Sequence, residues 1–387
     1  MHGGYREGSG RKSLNNLKKK NRNIYITDDF YNEIMSIDMK EHKSFSERCR
    51  YLLKEGLLNY KKESDDIVSN KLKLIDLFAG IGGIRKGFED SNTAFVFSSE
   101  WDKFAQKTYE ENYGEKPEGD ITQINAEDIP EHDIVLAGFP CQPFSSIGKR
   151  QGFEHVTQGT LFYDVLRIIR YHEPKAFLLE NVPGLLTIQN GETFDVIIEA
   201  LKESGYTVFY KVLDAQNFGL PQIRKRVIII GFRDDLGINN FEISESNGNK
   251  KAVIGDLLEE TDPAGYSISE HLQEKYLFKK DDGRPQIVNK DSKIQVKTLV
   301  STYHKIQRLT GTFVEGGETG LRLLSELECK RIMGFPDNFL IPVSRTQMYR
   351  QFGNSVAVPM IKSVADEMKK EIYKSNQISL KQLTFTI

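Results

Sequence analysis

Short apolar runs alternate with amphipathic segments through most of this 387-residue chain, and this alternation constrains its fold more than any other feature. Because strands that alternate with helices build open sheets covered on both faces, the pattern predicts a doubly wound α/β domain. Ligands bind such sheets beyond the carboxyl ends of the strands. The predicted strands are 72–77, 94–100, 133–139, 175–180 and 226–232, and the predicted helices are 84–89, 160–173, 192–205 and 358–373.

A glycine-rich turn, DLFAGIGG, follows the first predicted strand. Glycines there let backbone amides approach a ligand, and the amino end of the next helix favours negative charge. The next strand ends in Glu100 and Trp101, where an acid can accept hydrogen bonds from a ribose and an indole can cover an adenine. With Asp120 and Ile121 further on, these residues predict an adenosine pocket, although each alone is better explained as a solvated acid or a core side chain. The turn lacks the Lys-Ser/Thr of a P-loop, which argues against a triphosphate.

Cys141 stands between two prolines, in GFPCQPFSS, just after a predicted strand. It opens a long loop at the carboxyl edge of the sheet, a position that favours a reactive thiol over a packing residue. Glu180 ends a neighbouring strand and could donate a proton, while Arg224 and Arg226 begin another. Each of these three residues alone could equally be a helix cap or a surface charge. The chain has two other cysteines, and three scattered thiols make neither a disulfide framework nor a zinc site.

In this order the segments resemble the motifs of the carbon-5 cytosine DNA methyltransferases of bacterial restriction–modification systems. The motifs cover about residues 72–375: DLFAGIGG, SSEWD, GDI, GFPCQPFS, LLENVPG, QNFGLPQIRKR, RLLSELECKRIMGFP and YRQFGNSVAVP. The resemblance implies a Rossmann-like domain with S-adenosyl-L-methionine as methyl donor. It implies catalytic roles for Cys141, Glu180, Arg226 and Arg224. The residues that it implies around the donor are Phe78, Ala79, Gly80, Gly82, Glu100, Trp101, Asp120, Ile121, Pro140, Asn354 and Ser355.

The implied reaction gives each of these residues a chemical task. Carbon 5 of cytosine becomes nucleophilic only after a thiolate, here that of Cys141, has added to carbon 6. Glu180 would protonate ring nitrogen 3, and Arg226 would oppose charge on the ring carbonyl. No metal is needed, and we predict no metal site. Because a stacked base is inaccessible, the cytosine must be flipped out of duplex DNA, and we expect Ser145, Lys149 and Arg150 near that substrate.

The segment 236–320 departs from the α/β pattern and is predicted to be a small, loop-rich target-recognition domain. It interrupts the catalytic domain, which is predicted to comprise 72–235 and 321–387. Lys305, Gln307 and Arg308 are its candidate DNA-binding residues, by the chemistry that side chains use on base edges and phosphates. The segment resembles that of MspI-type enzymes, which implies CCGG as the target, with CCNGG as the alternative.

The first 62 residues form a basic arm followed by a strand–helix–helix pattern. They carry fourteen Lys or Arg against eight Asp or Glu, and the pattern resembles a ribbon-helix-helix DNA-binding unit. The alternative is a helical appendage of the main domain. A ribbon-helix-helix unit would pair with a second copy, which implies a homodimer, and related extensions repress their own operon. We predict a polar linker over residues 63–71.

The partners implied are double-stranded DNA and, as an operon partner without direct contact, a restriction endonuclease. No apolar run reaches the length that crosses a bilayer, and no secretory signal is seen, so a cytoplasmic protein associated with the nucleoid is expected. Two other functions stay open. One is a tRNA cytosine methyltransferase, which the full recognition segment disfavours, and the other is a DNA-binding regulator with an inert fold, which the complete set Cys141, Glu180 and Arg226 disfavours.

Overall fold

A computed structural model of the chain describes residues 27–37, 44–54, 71–140, 161–248 and 250–384. Its strands are β1 Leu72–Leu77, β2 Thr93–Ser99, β3 Ile134–Ala137, β4 Ala176–Asn181, β5 Tyr206–Asp214, β6 Lys225–Arg233, β7 Gln286–Val288, β8 Thr312–Glu315 and β9 Leu321–Arg322. Its α-helices are α1 Asp28–Ser36, α2 over 45–54, α3 Gly83–Phe88, α4 Lys103–Tyr113, α5 Leu161–His172, α6 Glu192–Glu203, α7 Glu270–Leu272, α8 Glu326–Met333, α9 Arg345–Asn354 and α10 Val358–Thr384. No helix in these ranges is both long and apolar enough to cross a membrane.

The main sheet has six strands in the order β2-β1-β3-β4-β6-β5. The first four are mutually parallel, whereas β6 runs antiparallel to both β4 and β5. The five predicted strands are all present. The strand of this sheet that the sequence analysis lacked is β5, an edge strand in which Thr207 and Lys211 interrupt the apolar residues, so it carries no long continuous apolar run.

Side chains alternate between the two faces of the sheet and build two cores. In β4, Ala176 and Leu178 pack with α3 and α10, while Phe177 and Leu179 pack with α5 and α6. The predicted α/β architecture with helices on both faces is therefore confirmed. Helix α10 begins where predicted and runs further than the predicted end at residue 373.

A three-stranded sheet in the order β7-β8-β9 lies in a third core with α8 and α9. Arg322 is buried there and donates two hydrogen bonds to the Glu328 carboxylate, at 2.8 and 2.9 Å, while its Nε donates to Asp262 at 2.8 Å. Glu328 also completes a capping box with Ser325 at the start of α8. Residues 68–387 form one compact unit, so the boundaries 236 and 320 stay predictions.

Residues 1–67 form the other unit. Helix α2 begins with a capping box: the Ser44 amide donates to the Glu47 carboxylate at 3.1 Å, and the Glu47 amide donates to the Ser44 hydroxyl at 3.3 Å. Arg48 of α2 donates to the carbonyl oxygen of Met35 at the end of α1, at 2.8 Å. The predicted basic arm, the strand before α1 and most of the predicted linker lie outside the described residues, so the ribbon-helix-helix assignment stays a prediction.

Candidate active site

A cavity of about 710 Å³ opens at the carboxyl ends of β1, β2, β3 and β4, the edge where ligands were expected. Eleven of the residues predicted for the donor, catalysis or DNA line it: Phe78, Ala79, Gly80, Glu100, Trp101, Pro140, Glu180, Arg226, Lys305, Asn354 and Ser355. These residues come from segments far apart in sequence, and the fold brings them to one place.

The glycine-rich turn after β1 is braced by Glu100. One carboxylate oxygen of Glu100 accepts from the Gly80 amide at 2.8 Å, and the other accepts from the Asp102 amide at 2.8 Å. Burial raises the pKa of the Glu100 carboxyl, and these amides oppose the rise. Each oxygen keeps a second lone pair, so the carboxylate can still accept a hydroxyl of a nucleoside. Phe78 and Gly80 both have positive φ, at 54° and 57°, which bends the backbone around the cavity.

Gly82 supports the turn from behind and does not line the cavity. It adopts φ 78°, and a Cβ there would lie 2.3 Å from the ring of Tyr113, whose hydroxyl donates to the Gly82 carbonyl at 2.8 Å. Only glycine fits both the conformation and the ring.

Trp101 is 76% exposed at the cavity edge. A large indole left this open is suited to stacking against a flat ligand. Asp120 and Ile121 lie outside the cavity lining: the Asp120 side chain caps a 3₁₀ turn by accepting from the Thr122 amide at 3.0 Å, and Ile121 is in the core. The segment just before them runs beside the end of β2, because the Glu100 amide donates to the Glu118 carbonyl at 2.9 Å. A donor contact at Asp120 and Ile121 stays a prediction.

Glu180 and Arg226 form an ion pair inside the cavity. Nε of Arg226 lies 2.7 Å from Oε1 of Glu180, and Glu180 as a whole residue is 8% exposed. Both side chains of this ion pair line the cavity, where a ligand can meet them. Burial raises the pKa of Glu180, while Arg226 and then Arg224 oppose the rise. The raised pKa favours the protonated form of this carboxyl group, which can pass its proton to a ligand.

Asn181, next to Glu180, fixes the chain that ends at Pro140, just before Cys141 in the sequence. Its side-chain amide donates to the Phe139 carbonyl at 2.9 Å, and its oxygen accepts from the Val182 amide at 2.8 Å. Pro140 follows Phe139 and lines the cavity. The predicted residues Cys141, Ser145, Lys149 and Arg150 lie outside the described residues, and the first of them directly follows Pro140 in the sequence.

Arg224 is placed differently from its predicted catalytic position. It is fully buried, and its guanidinium donates to the carbonyl of Leu299 at 3.0 Å, to that of Gly353 at 2.9 Å and to that of Ser355. It therefore joins the chain from the 236–320 segment to the end of α9, beneath the cavity. A guanidinium with three carbonyl acceptors is committed to main-chain contacts, so its part in the site is to position other residues.

The two remaining predicted DNA-binding residues that the structure describes, Gln307 and Arg308, differ in their surroundings. Gln307 is exposed, and its side-chain oxygen accepts from the hydroxyls of Thr302 and Thr310, at 3.2 and 3.0 Å. Arg308 was predicted to face DNA, but it is bound within its own segment: it donates to the carbonyls of Leu277 at 2.8 Å and Lys280 at 2.9 Å and pairs with Asp282. An arginine used in this way is not available to read a base.

Several cavity residues were not singled out from the sequence: Asn181, Ser301, Thr302, His304, Gln347, Arg350 and Gln351. Those of α9 recur at helical spacing, so a residue on the face shared with Asn354 could have been proposed. Those of 301–304 carry no local signal. They reach the cavity because Gly353 of α9 lets the chain pass, with a Cβ at Gly353 falling 2.0 Å from the Ser301 nitrogen.

A family model described as C-5 cytosine-specific DNA methylase matches residues 72–370. The Type II methyltransferase M.BsuFI of Bacillus subtilis is 56% identical over 411 aligned residues, covering 99% of this chain and 100% of that protein. The Type II methyltransferase M.MspI of Moraxella sp is 55% identical over 323 residues, covering 83% of this chain and 76% of that protein. These findings confirm the resemblance inferred from the motifs.

Solved structures agree on the fold. A mutant of Spodoptera frugiperda DNMT2 superposes with a TM-score of 0.61 at 22% identity, over 78% of this chain and 100% of that one. The S. pombe Dnmt2 methyltransferase gives the same TM-score and identity, over 78% and 99%. The family match and the two bacterial relatives together show that this chain belongs to the C-5 cytosine-specific DNA methylases, enzymes that methylate carbon 5 of cytosine in DNA.

Proposed function

We propose that this enzyme flips a cytosine out of a CCGG site in duplex DNA and methylates it through a covalent adduct with Cys141. One observation carries the proposal: the Glu180–Arg226 pair and the glycine-rich turn line one cavity, together with the proline that precedes Cys141. An acid, a cation and a nucleoside-binding turn are thus within reach of one flipped base.

The donor end of the cavity suits S-adenosyl-L-methionine. The positive φ of Phe78 and Gly80, the buried carboxylate of Glu100 and the exposed ring of Trp101 match a ligand with an adenine, a ribose and an amino-acid tail. When bound, this donor supplies an electrophilic methyl group. Phe78, Glu100 and Trp101 would hold its nucleoside, with Asn354 and Ser355 nearby.

The catalytic steps follow from the residues. The Cys141 thiolate attacks carbon 6 of the cytosine, and the Glu180 proton passes to ring nitrogen 3, which makes carbon 5 nucleophilic. Arg226 opposes charge on the ring carbonyl and stabilises the Glu180 carboxylate left behind. After carbon 5 has gained the methyl group, a base removes its remaining proton and the thiolate departs. Ring nitrogen 3 returns its proton to Glu180, which restores the neutral aromatic ring and the starting state of the acid.

The direct test is bisulfite sequencing of a plasmid from cells that express the protein. We expect protected cytosines at CCGG and nowhere else, and a Cys141→Ser variant should leave all of them unprotected. Protection at CCNGG would correct the target sequence. If cytosines stay unprotected in cells that contain the folded wild-type protein, the proposal is wrong. Identity to M.MspI supports CCGG, and a CCGG endonuclease encoded beside the gene would fit a restriction–modification pair.

The alternative of tRNA methylation is tested by supplying duplex DNA and tRNA side by side with a labelled donor. Identities of 55% and 56% to Type II methyltransferases favour DNA. A DNA-binding regulator with an inert fold would transfer the label to neither nucleic acid.

We further propose that the N-terminal unit pairs with a second copy and represses the enzyme's own operon, and that the protein acts on nucleoid DNA in the bacterial cytoplasm.

A further inference from the structure

Three side chains that can carry positive charge line one wall of the active-site cavity. His304 and Lys305 lie on the 3₁₀ turn Tyr303–Lys305, and Arg350 lies on α9. The pKa of His304 is lowered by burial first, and then by the charges of Arg350 and Lys305, so the positive charge of this wall near neutral pH lies on Arg350 and Lys305. We call these three residues the cationic wall.

The cationic wall has no counter-ion among the described residues. Lys305 and Arg350 make no ion pair there, and Nδ1 of His304 is buried without a directed hydrogen bond. Three carboxylates line the same cavity, and each is engaged elsewhere: Glu180 by Arg226, Glu100 by backbone amides and Asp102 by the first amides of α4. Because Lys305 and Arg350 carry positive charge without a counter-charge, and the imidazole of His304 can donate a hydrogen bond, this wall is suited to an anion.

The wall is built on a fixed segment. The Tyr303 hydroxyl donates to the Thr312 carbonyl at 2.6 Å and accepts from the Leu324 amide at 3.1 Å, and the ring is buried. The turn ends at Ile306 in the left-handed region, with φ 54° and ψ 54°. A β-branched residue adopts that conformation only where its neighbours impose it. Its neighbours along the chain are therefore presented to the cavity in a set arrangement.

We propose that His304, Lys305 and Arg350 bind a backbone phosphate of the DNA strand, next to the cytosine that enters the cavity. This inference rests on the proposed function. The carboxylate of the methyl donor is the other anion that could meet this wall. The exposure of Lys305 and Arg350 favours the phosphate, because an extruded nucleotide must carry its phosphates past the rim of the cavity.

The test measures full-length protein binding to a duplex with one CCGG site, in the presence of S-adenosylhomocysteine. Arg350→Gln and Lys305→Gln should each weaken DNA binding about tenfold, the loss expected for one hydrogen bond between charged groups. The slope of log affinity against log salt should fall by about one. Lys202→Gln is the matched control, because Lys202 is exposed and lies outside the cavity. Affinity for S-adenosylhomocysteine should stay within about twofold of wild type in all three variants.

Replacing one charged phosphate of the DNA by a neutral methylphosphonate shows which phosphate contacts the cationic wall. Single methylphosphonates are placed in turn around the target cytosine, and at one position wild-type binding should fall about tenfold while Arg350→Gln binding barely changes, as coupled groups require. If no position behaves in this way, or if the variants lose affinity for S-adenosylhomocysteine instead, the phosphate assignment is overturned. Methylation of the same duplex by the wild-type protein is measured separately. An error in the phosphate assignment and an error in the proposed enzyme activity therefore give different results.

Discussion

Glu180 and Asp76 are both buried acids on parallel strands, and their surroundings set them different tasks. Glu180 lies in the cavity, 2.7 Å from the Arg226 guanidinium. Asp76 is fully buried in β1, its carboxyl oxygens accept no directed hydrogen bond, and burial raises its pKa to about 8 against the opposing charge of Arg85. Glu180 can therefore exchange a proton with a ligand, whereas Asp76 exchanges one only at a cost to folding.

Replacing Glu180 by Gln should slow methyl transfer by about 10²- to 10⁴-fold, the usual contribution of a positioned acid. DNA affinity should stay near that of wild type, since the cavity keeps its shape. Transfer of a labelled methyl group and equilibrium DNA binding measure the two effects. Glu203→Gln, at the exposed end of α6, is the control. A Glu180→Gln enzyme within about tenfold of wild type would remove Glu180 from the mechanism.

Asp76 gives a prediction about pH and stability. Because its pKa is raised in the folded state to about 8 from 3.8, the folded protein binds more protons than the unfolded one between these values. Its contribution to the free energy of unfolding is therefore full at low pH and is lost as pH rises toward 8. Asp76→Asn should raise Tm relative to wild type by more at pH 8 than at pH 5. A Tm difference independent of pH would contradict the raised pKa.

At this scale the sequence predicted residues that sit in motifs and missed those that depend on packing. Phe78 and Glu100 directly follow strands, and Glu180 lies in the last two residues of β4, so their place at the cavity could be inferred from the α/β pattern. Arg224 matched a motif equally well, yet its guanidinium serves backbone carbonyls. The carbonyl groups of Leu299 and Gly353 come together around Arg224 only in the folded protein. No local sequence pattern indicates that they do.

Helix α9 shows how one element joins two parts of the enzyme. One side of α9 lines the cavity. Near the end of α9, the backbone of Val300 and Ser301 packs against Gly353 so closely that a Cβ at residue 353 would clash with it. The sequence predicted the strands with continuous apolar runs and missed β5, in which Thr207 and Lys211 interrupt the run. The other edge strand, β2, is as half-buried as β5 but keeps the unbroken run 94–97, and it was predicted.

Gly353→Ala should destabilise the protein by about 1–3 kcal/mol, the range for overpacking, because the new Cβ meets backbone that cannot rotate away. Methyl transfer should fall as well, since residues 301–305 are displaced from the cavity. Urea unfolding and transfer rates measure the change. Gly119→Ala is the matched control, with nothing within 4 Å of its Cβ. Equal unfolding midpoints for the two variants would show that α9 can shift to make room.

The whole molecule consists of two units, residues 1–67 and 68–387. The family model begins at residue 72, so the catalytic apparatus belongs to the second unit. The charge imbalance of the first 62 residues was visible in the sequence, whereas no sequence pattern could decide between a separate DNA-binding unit and an appendage.

A variant that lacks residues 1–67 should therefore keep methyl transfer to a CCGG duplex within about twofold, as an independent domain does. It should lose binding to the enzyme's own promoter in a mobility assay, which the full-length protein should bind when CCGG is absent from the probe. A full-length protein that ignores the promoter would remove the regulatory role. Loss of transfer by a folded truncated protein would show that the first unit supports catalysis.

The joint between the 236–320 segment and the main sheet has a consequence for how such enzymes diversify. Val296 exchanges main-chain hydrogen bonds with Pro221 and Ile223, at 2.7 and 3.0 Å, and Arg224 grips the Leu299 carbonyl. On the side of the 236–320 segment these attachments use only peptide groups, which every sequence possesses. The loops that precede the joint can therefore change in sequence while the chain still enters the cavity at the same place.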